Sequence, residues 1–257
     1  MGEEKLFCSD MEDAIREINK HSDLFNKNKL DFNNEGWVPF KTDFVYNTNA
    51  IEGLTITQNE VYDLLNSTEN KQIKREKFEI AETFGLADAL ESLKKTDEHL
   101  SIGLLKELHL IVFKDTKDFA GRLRRSGEEV GISDGRGNII HNGTTALKVV
   151  SELNNLIDWY NENMNNYDPI ILSALIHNNF ENIHPFKDGN GRVGRLILNN
   201  ILMKGGALPI SISVKNRQEY YDALQDYERG GKALLPTINL LIKEHKRALD
   251  SFWKTES

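Results

Sequence analysis

One cysteine, Cys8, stands in 257 residues. An internal disulfide is therefore excluded, and so is a cysteine-rich zinc site. Such a composition fits a reducing, cytoplasmic setting. Prolines number only five, few enough to allow long uninterrupted helices. No apolar run approaches the ~18 residues of a membrane span. The opening Met1-Gly-Glu-Glu-Lys-Leu-Phe7 lacks the apolar centre of a signal peptide, and Leu6 stands where a myristoylation signal needs Ser or Thr. Positive charge is also in short supply: 32 Lys and Arg face 40 Asp and Glu, a net charge of −8. That balance repels nucleic acid and anionic membranes alike. We expect a soluble protein with neither as a partner.

What is present reads as helix. Apolar residues recur at three-to-four spacing over Phe78–Leu93. Thr57-Gln-Asn-Glu60 is a capping box that opens a helix through Val61, Leu64 and Leu65. Thr145 is expected to cap a helix through Val149, Leu153, Ile157 and Trp159. Asp168-Pro169 supplies an N-cap followed by proline at the first helical position, and that helix continues to Phe180. Further helices are expected over about 191–203, 216–229 and 233–252, the last with Pro236 in its first turn. The fold class predicted is all-α. Residues 121–144 break the pattern with six glycines, and Asp134-Gly and Asn142-Gly mark turns. A small β-hairpin is expected there.

Helical periodicity stops at Ile183, and a loop runs from His184 to Asn190 before a new helix begins near Gly191. Glycines entering a helix N-terminus make an anion site, because first-turn N–H groups have no intrahelical partner and the dipole is positive there. Arg192 and Arg195, three apart, share one face beside that end. Asp188 is a hard oxygen ligand of the kind magnesium takes together with phosphates. His184 stands where it could accept a proton from an attacking hydroxyl. Phe186 is expected to pin the loop into the core. A base, a metal carboxylate, an N–H cradle and two arginines together read as nucleotide phosphate chemistry. The plain alternative is a helix–turn–helix corner with solvated arginines. A Walker loop is excluded, since no Gly-Lys-Ser/Thr occurs. His177, Glu181 and His184 share a helix face in a metal-like spacing, although Glu-x-x-His occurs only once, and His177 also reads as a hydrogen-bonded core histidine.

Residues 184–195, His-Pro-Phe-Lys-Asp-Gly-Asn-Gly-Arg-Val-Gly-Arg, resemble the Fic signature His-Pro-Phe-x-Asp/Glu-Gly-Asn-Gly-Arg-x-x-Arg at every specified position. The resemblance covers about 100–250, with Gly121-Arg-Leu-Arg124 and Asn216–Leu224 as further similar segments. It implies a Fic-type helical bundle with a hairpin flap and a protein adenylyltransferase that moves AMP from ATP to a Ser, Thr or Tyr hydroxyl of a target protein, itself included. By the same resemblance His184 is the general base and Asp188 holds Mg2+. Gly189, Asn190 (its side-chain amide included) and Gly191 bind the α- and β-phosphates, and Arg192 and Arg195 the β- and γ-phosphates. Kinase-like relatives carry Lys at the place of Gly191, and phosphocholine-transferring ones lack the arginine found here as Arg195. Both residues therefore point to AMP transfer. Tyr220 and Tyr221 resemble a pair lining the nucleoside pocket. One of them can instead be core, since neighbours on a helix point about 100° apart. Glu228 stands where some relatives carry an adenine-binding Asn, which leaves base specificity open.

Thr48-Asn-Ala-Ile-Glu-Gly53 resembles the inhibitory motif of regulated Fic proteins with an N-terminal inhibitory helix. Residues 1–96 are then an N-terminal helical region carrying that helix (about 42–53), and 97–257 the catalytic core and C-terminal helices. Glu52 would pair with Arg195 and deny it to the γ-phosphate, a latch whose competitor is also an anion. The alternative is a surface Glu before a Gly helix stop. Glu52 could also order a water that hydrolyses AMP from a modified protein, and a non-catalytic regulatory binding protein is the third reading. Ile139, Ile140 and His141 are expected to dock a target backbone as an added strand, or else to form a plain surface hairpin. Arg122, Arg124 and Arg125 face an acidic target segment or are solvated. A homodimer that shifts the N-terminal helices stays open.

Overall fold

Glycine and proline inside a helix argue against it, yet α1 runs Asn34–Ile51 through both Gly36 and Pro39. It begins earlier than the inhibitory helix expected from sequence because its aromatic residues are buried. Trp37, Phe40 and Phe44 are each no more than 2% exposed and lie ring beside ring at 5.5 and 6.1 Å. The computed structural model describes residues 12–13, 15–20, 34–67, 73–133, 139–229 and 233–252. After α1 come α2 (Gln58–Asn66), α3 (Lys77–Lys95) and α4 (Ile102–Phe113). Then follow α5 (Val149–Asn163), α6 (Pro169–Ile183), α7 (Asn190–Lys204), α8 (Arg217–Arg229) and α9 (Leu235–Ser251). Two short strands, β1 (Gly131–Ser133) and β2 (Ile139–Asn142), pair antiparallel between α4 and α5, with Gly131 opposite Asn142.

Local signals set several of these boundaries. Thr57 and Glu60 close both halves of the capping box on α2. Asp168 accepts from the Ile170 N–H at 2.9 Å, with Pro169 opening α6. Thr145 corrects the expectation. Its side chain caps nothing; the Ala146 N–H turns to Glu129 Oε1 instead, and a 3-10 turn over Ala146–Lys148 precedes α5.

One hydrophobic cluster joins residues of all the helices α1–α9. Within it α6 and α7 pack against each other, separated in sequence only by the loop 184–189. That corner is where the conspicuous residues lie. No helix among the described residues is long and apolar enough to cross a membrane.

Candidate active site: a loop clamped between two helices

The end of α6 is fixed by an arginine. Arg124 is 4% exposed. It donates to the carbonyls of His184 (2.7 Å), Thr144 (2.6 Å), Ile183 (3.2 Å) and Glu128 (3.1 Å). It is therefore neither solvated nor presented to a target, and the sequence expectation for it is corrected: burial gives its donors backbone carbonyls to satisfy. Arg122 is turned to Glu128, at 2.8 Å for each of two bonds. With its carbonyl so held, His184 takes the left-handed conformation at φ 52°, uncommon for a residue with a side chain and sustained only where the surroundings impose it.

Three further contacts set the loop. Phe186 is fully buried and stacks on His109 at 4.0 Å, so it does pin the loop. The side chain of Asn190 accepts from the Phe186 N–H and donates to the Phe186 carbonyl, both at 2.8 Å. Its amide is thus spent on loop closure, and what it presents to the cavity is backbone. His109 accepts from the Gly121 N–H at 2.8 Å on Nδ1, so its Nε2–H donates to the Asp188 carbonyl at 3.0 Å. Burial pushes this histidine down to about 4, and it serves as a neutral bridge. Gly189 turns the chain at φ 82°, where a side chain would also strike the Phe113 ring. From there α7 begins, its first-turn N–H groups open to the cavity.

The cavity holds about 420 Å³ and is lined by Glu52, Glu181, His184, Asp188, Gly189, Asn190, Gly191, Arg195, Tyr220 and Tyr221 among others. Its size suits a small-molecule ligand. His184 Nδ1 lies 3.2 Å from the Glu181 carbonyl. A carbonyl only accepts, so Nδ1 carries the hydrogen and Nε2 is the basic nitrogen. Asp188 accepts from the Gly189 N–H at 2.7 Å on Oδ1 and pairs with Lys117 at 3.0 Å on Oδ2. Burial opposes its charge, but Lys117 and Arg192 outweigh it and hold the carboxyl below its ordinary value. Among the described residues no group of three or more His, Cys, Asp or Glu converges as a metal site. His177 donates to or accepts from the Tyr220 hydroxyl at 2.9 Å.

Arg195, 2% exposed, is gripped by the end of α1. Its Nη2 donates to Glu52 Oε1 at 2.6 Å and to the Thr48 carbonyl at 3.1 Å. Glu52 lies just past the last residue of α1, with Gly53 at φ 92° ending the helix. A carboxylate is disfavoured at that negative end of the dipole. Burial opposes its charge too, yet Arg195 and then Arg192 hold it below the ordinary carboxyl value. Gly191 makes the approach possible, because a side chain there would collide with Glu52 Oε1. Arg192 stands a layer behind the cavity: Glu82 engages its guanidinium, which lies over the Phe113 ring at 4.4 Å. Tyr220 is the core member of the tyrosine pair, 2% exposed, whereas Tyr221 is partly open and bonds the Ile51 carbonyl at 3.4 Å. The side chains of Ile139, Ile140 and His141 lie outside the described residues. Glu82, Lys117 and His109 are contributors that the sequence reading missed.

Residues 99–202 match the model of the Fic/DOC family. The chain carries a Fic domain. It is 31% identical over 219 residues to a "Protein adenylyltransferase fic-1" of Caenorhabditis elegans and 30% over 214 residues to a "Protein adenylyltransferase Fic" of Nematostella vectensis. These alignments take in 81% of this chain but 40% and 48% of those proteins, so the chain spans less than half the length of either relative. Among solved structures it resembles C. elegans Fic-1 (residues 134–508), at a TM-score of 0.76 and 26% identity, with 94% and 71% of the two chains covered. A Fic domain containing signaling protein of Bacteroides thetaiotaomicron shares the fold at a TM-score of 0.78 and 24% identity, covering 92% and 95%.

Proposed function

We propose that this Fic protein is a protein adenylyltransferase that moves AMP from ATP to a Ser, Thr or Tyr hydroxyl of a target protein and is held off by Glu52. The observation that carries the reading is the convergence of His184, Asp188, the start of α7 and Arg195 on one cavity, with Glu52 already on the arginine. Nε2 of His184 takes the hydroxyl proton. The hydroxyl oxygen bonds the α-phosphorus as the α–β phosphoanhydride bond breaks, and pyrophosphate leaves with the bonding pair. The N–H groups of Asn190 and Gly191 meet the phosphate oxygens, and Arg195, once Glu52 releases it, meets the terminal phosphate. Arg192, braced by Glu82, adds positive charge from behind the cradle.

The ionised carboxylate of Asp188 on the cavity wall fits Mg2+, which draws its remaining oxygens from phosphates and water. Asp188 would hold it, and the ion would supply charge neutralisation on the phosphates. Tyr221 is the partly open side chain for the nucleoside, and β2 over Ile139–His141 is the strand for target docking. Glu52 and Asp188 share the same wall, which supports a second reading: Glu52 orders a water that removes AMP from a modified protein.

Wild-type, Glu52→Gly and His184→Ala proteins incubated with magnesium and α- or γ-labelled ATP decide between them. Transfer of α-label by Glu52→Gly, and its loss when His184→Ala is added, supports the transferase. Label passing only from the γ-position would sink it. Release of AMP from a modified target, without transfer by any variant, would select the hydrolase.

A further inference from the structure

Glu181 is buried against the floor of the cavity, one turn before His184. Its Oε1 has no hydrogen-bond partner among the described residues, and its Oε2 lies 3.7 Å from His184 Nδ1. A buried acceptor left unpaired is costly, so this carboxyl is placed for a partner other than its resting neighbours. Gly194 leaves it the space: a side chain there would collide with Oε1 and crowd His177 Nδ1 at 3.2 Å. Separately, His177 Nε2 meets the Tyr220 hydroxyl at 2.9 Å, and that hydroxyl lies 3.4 Å from Arg195 Nη1.

We propose that Glu181 is a positioning residue for His184, its carboxyl trading a proton with the imidazole so that the two groups titrate as one unit. The proposal rests on His184 being the base of the transfer argued above. In the resting site the proton sits on Glu181, and Nε2 is the imidazole nitrogen left to accept. When Nε2 takes the target proton, the Nδ1–H of the imidazolium has two oxygens of one residue within reach, the Glu181 carbonyl and carboxyl. The groups facing Glu181 are His177 and His184 from its own end of the chain, Arg195 from α7, Glu52 from the end of α1 and Tyr220 from α8. Burial and Glu52 push the carboxyl up, against Arg195, to about 8. Coupled groups of this kind share their titration steps.

The experiment follows the His184 ring by NMR across a pH series in the nucleotide-free protein, so it needs no activity. In the wild type the ring signal moves in two steps, one of them near pH 8. In Glu181→Gln the step near pH 8 disappears, and in Glu181→Asp it returns at a displaced midpoint. The same single-step curve in wild type and both variants overturns the proposal. Should Glu181→Gln fail to fold, Glu181→Asp against wild type decides alone, an undisplaced midpoint being the overturning result. Failure of α-label transfer by Glu52→Gly would strike the proposed function and leave this titration standing.

Discussion

Gly191 has no room for a side chain because of what stands opposite it. A Cβ there would strike Glu52 Oε1 and come within 3.1 Å of Arg195 Nη1. In the proposed function the glycine that would open the cradle to phosphate is also the one that admits the inhibitory Glu52. Gly191→Ala should therefore destabilise the wild type more than it destabilises Glu52→Gly. A double-mutant cycle in urea should return a coupling on the order of 1 kcal/mol, the scale for residues in contact; additive effects would show that Glu52 is not seated there. Lys117 raises a second point at this scale. Its ammonium occupies Asp188 Oδ2 at 3.0 Å, and Glu82 Oε1 lies 3.9 Å from it. A divalent cation must compete for that oxygen. Partly exposed pairs contribute ~0.2–1 kcal/mol. Lys117→Met should therefore tighten Mn2+ binding, read by electron paramagnetic resonance without nucleotide, by about two- to five-fold. Unchanged binding would show that the lysine does not compete.

At the scale of elements, α1 is an unusual carrier for the proposed latch, since it belongs to the core. Phe40, Phe44, Val45 and Ile51 are each no more than 1% exposed. Asn47 donates to Ser211 at 3.2 Å and accepts from the Val214 N–H at 2.9 Å. Arg247 of α9 ties down Asp43 at 3.0 Å. The proposed release of Arg195 should therefore come from the Glu52 side chain and the turn at Gly53, not from departure of the helix. Phe44→Ala should cost about 3–5 kcal/mol of stability without raising transfer, whereas Glu52→Gly should raise transfer. Denaturation and labelled-ATP assays on both variants check this. If Phe44→Ala activates, the helix moves as a unit. The same elements show what sequence can and cannot carry. The capping box at Thr57, the Asp168-Pro169 start and the run 184–195 were legible because their partners lie within a few residues. Glu82 reaches Arg192 across 110 positions, and His109 reaches Asp188 across 79. No local spacing announces such contacts. Arg124 was misread for a related reason, since a basic residue in a glycine-rich stretch looks the same whether solvated or buried. The length of α1 was misjudged because burial of Trp37 and Phe40 overrode the propensities of Gly36 and Pro39.

For the whole molecule these buried groups set a pH of maximum stability. Burial lowers His109 and His245 to about 4 and His177 to about 3, against an ordinary 6.5. Unfolding in the window below 6.5 therefore takes up a proton at each of the three. Glu181 runs the other way. It is raised to about 8 from 4.5, so its unfolded form gives a proton up between those values. Between about pH 4.5 and 6.5 the net uptake on unfolding is two protons, three histidines less one glutamate. Stability then rises with pH on the order of 2–3 kcal/mol per unit. Above 6.5 the unfolded histidines are neutral and the step shared by Glu181 and His184 is what remains, so stability falls by about 1.4 kcal/mol per unit until pH 8. The maximum should lie near pH 6.5–7. Urea midpoints measured through that range should trace an asymmetric peak, and Glu181→Gln should flatten its alkaline side while leaving the acid side rising. A curve that keeps climbing to pH 8 in the wild type would show that Glu181 is ionised in the folded protein, and the proton assigned to it beside His184 would have to be withdrawn.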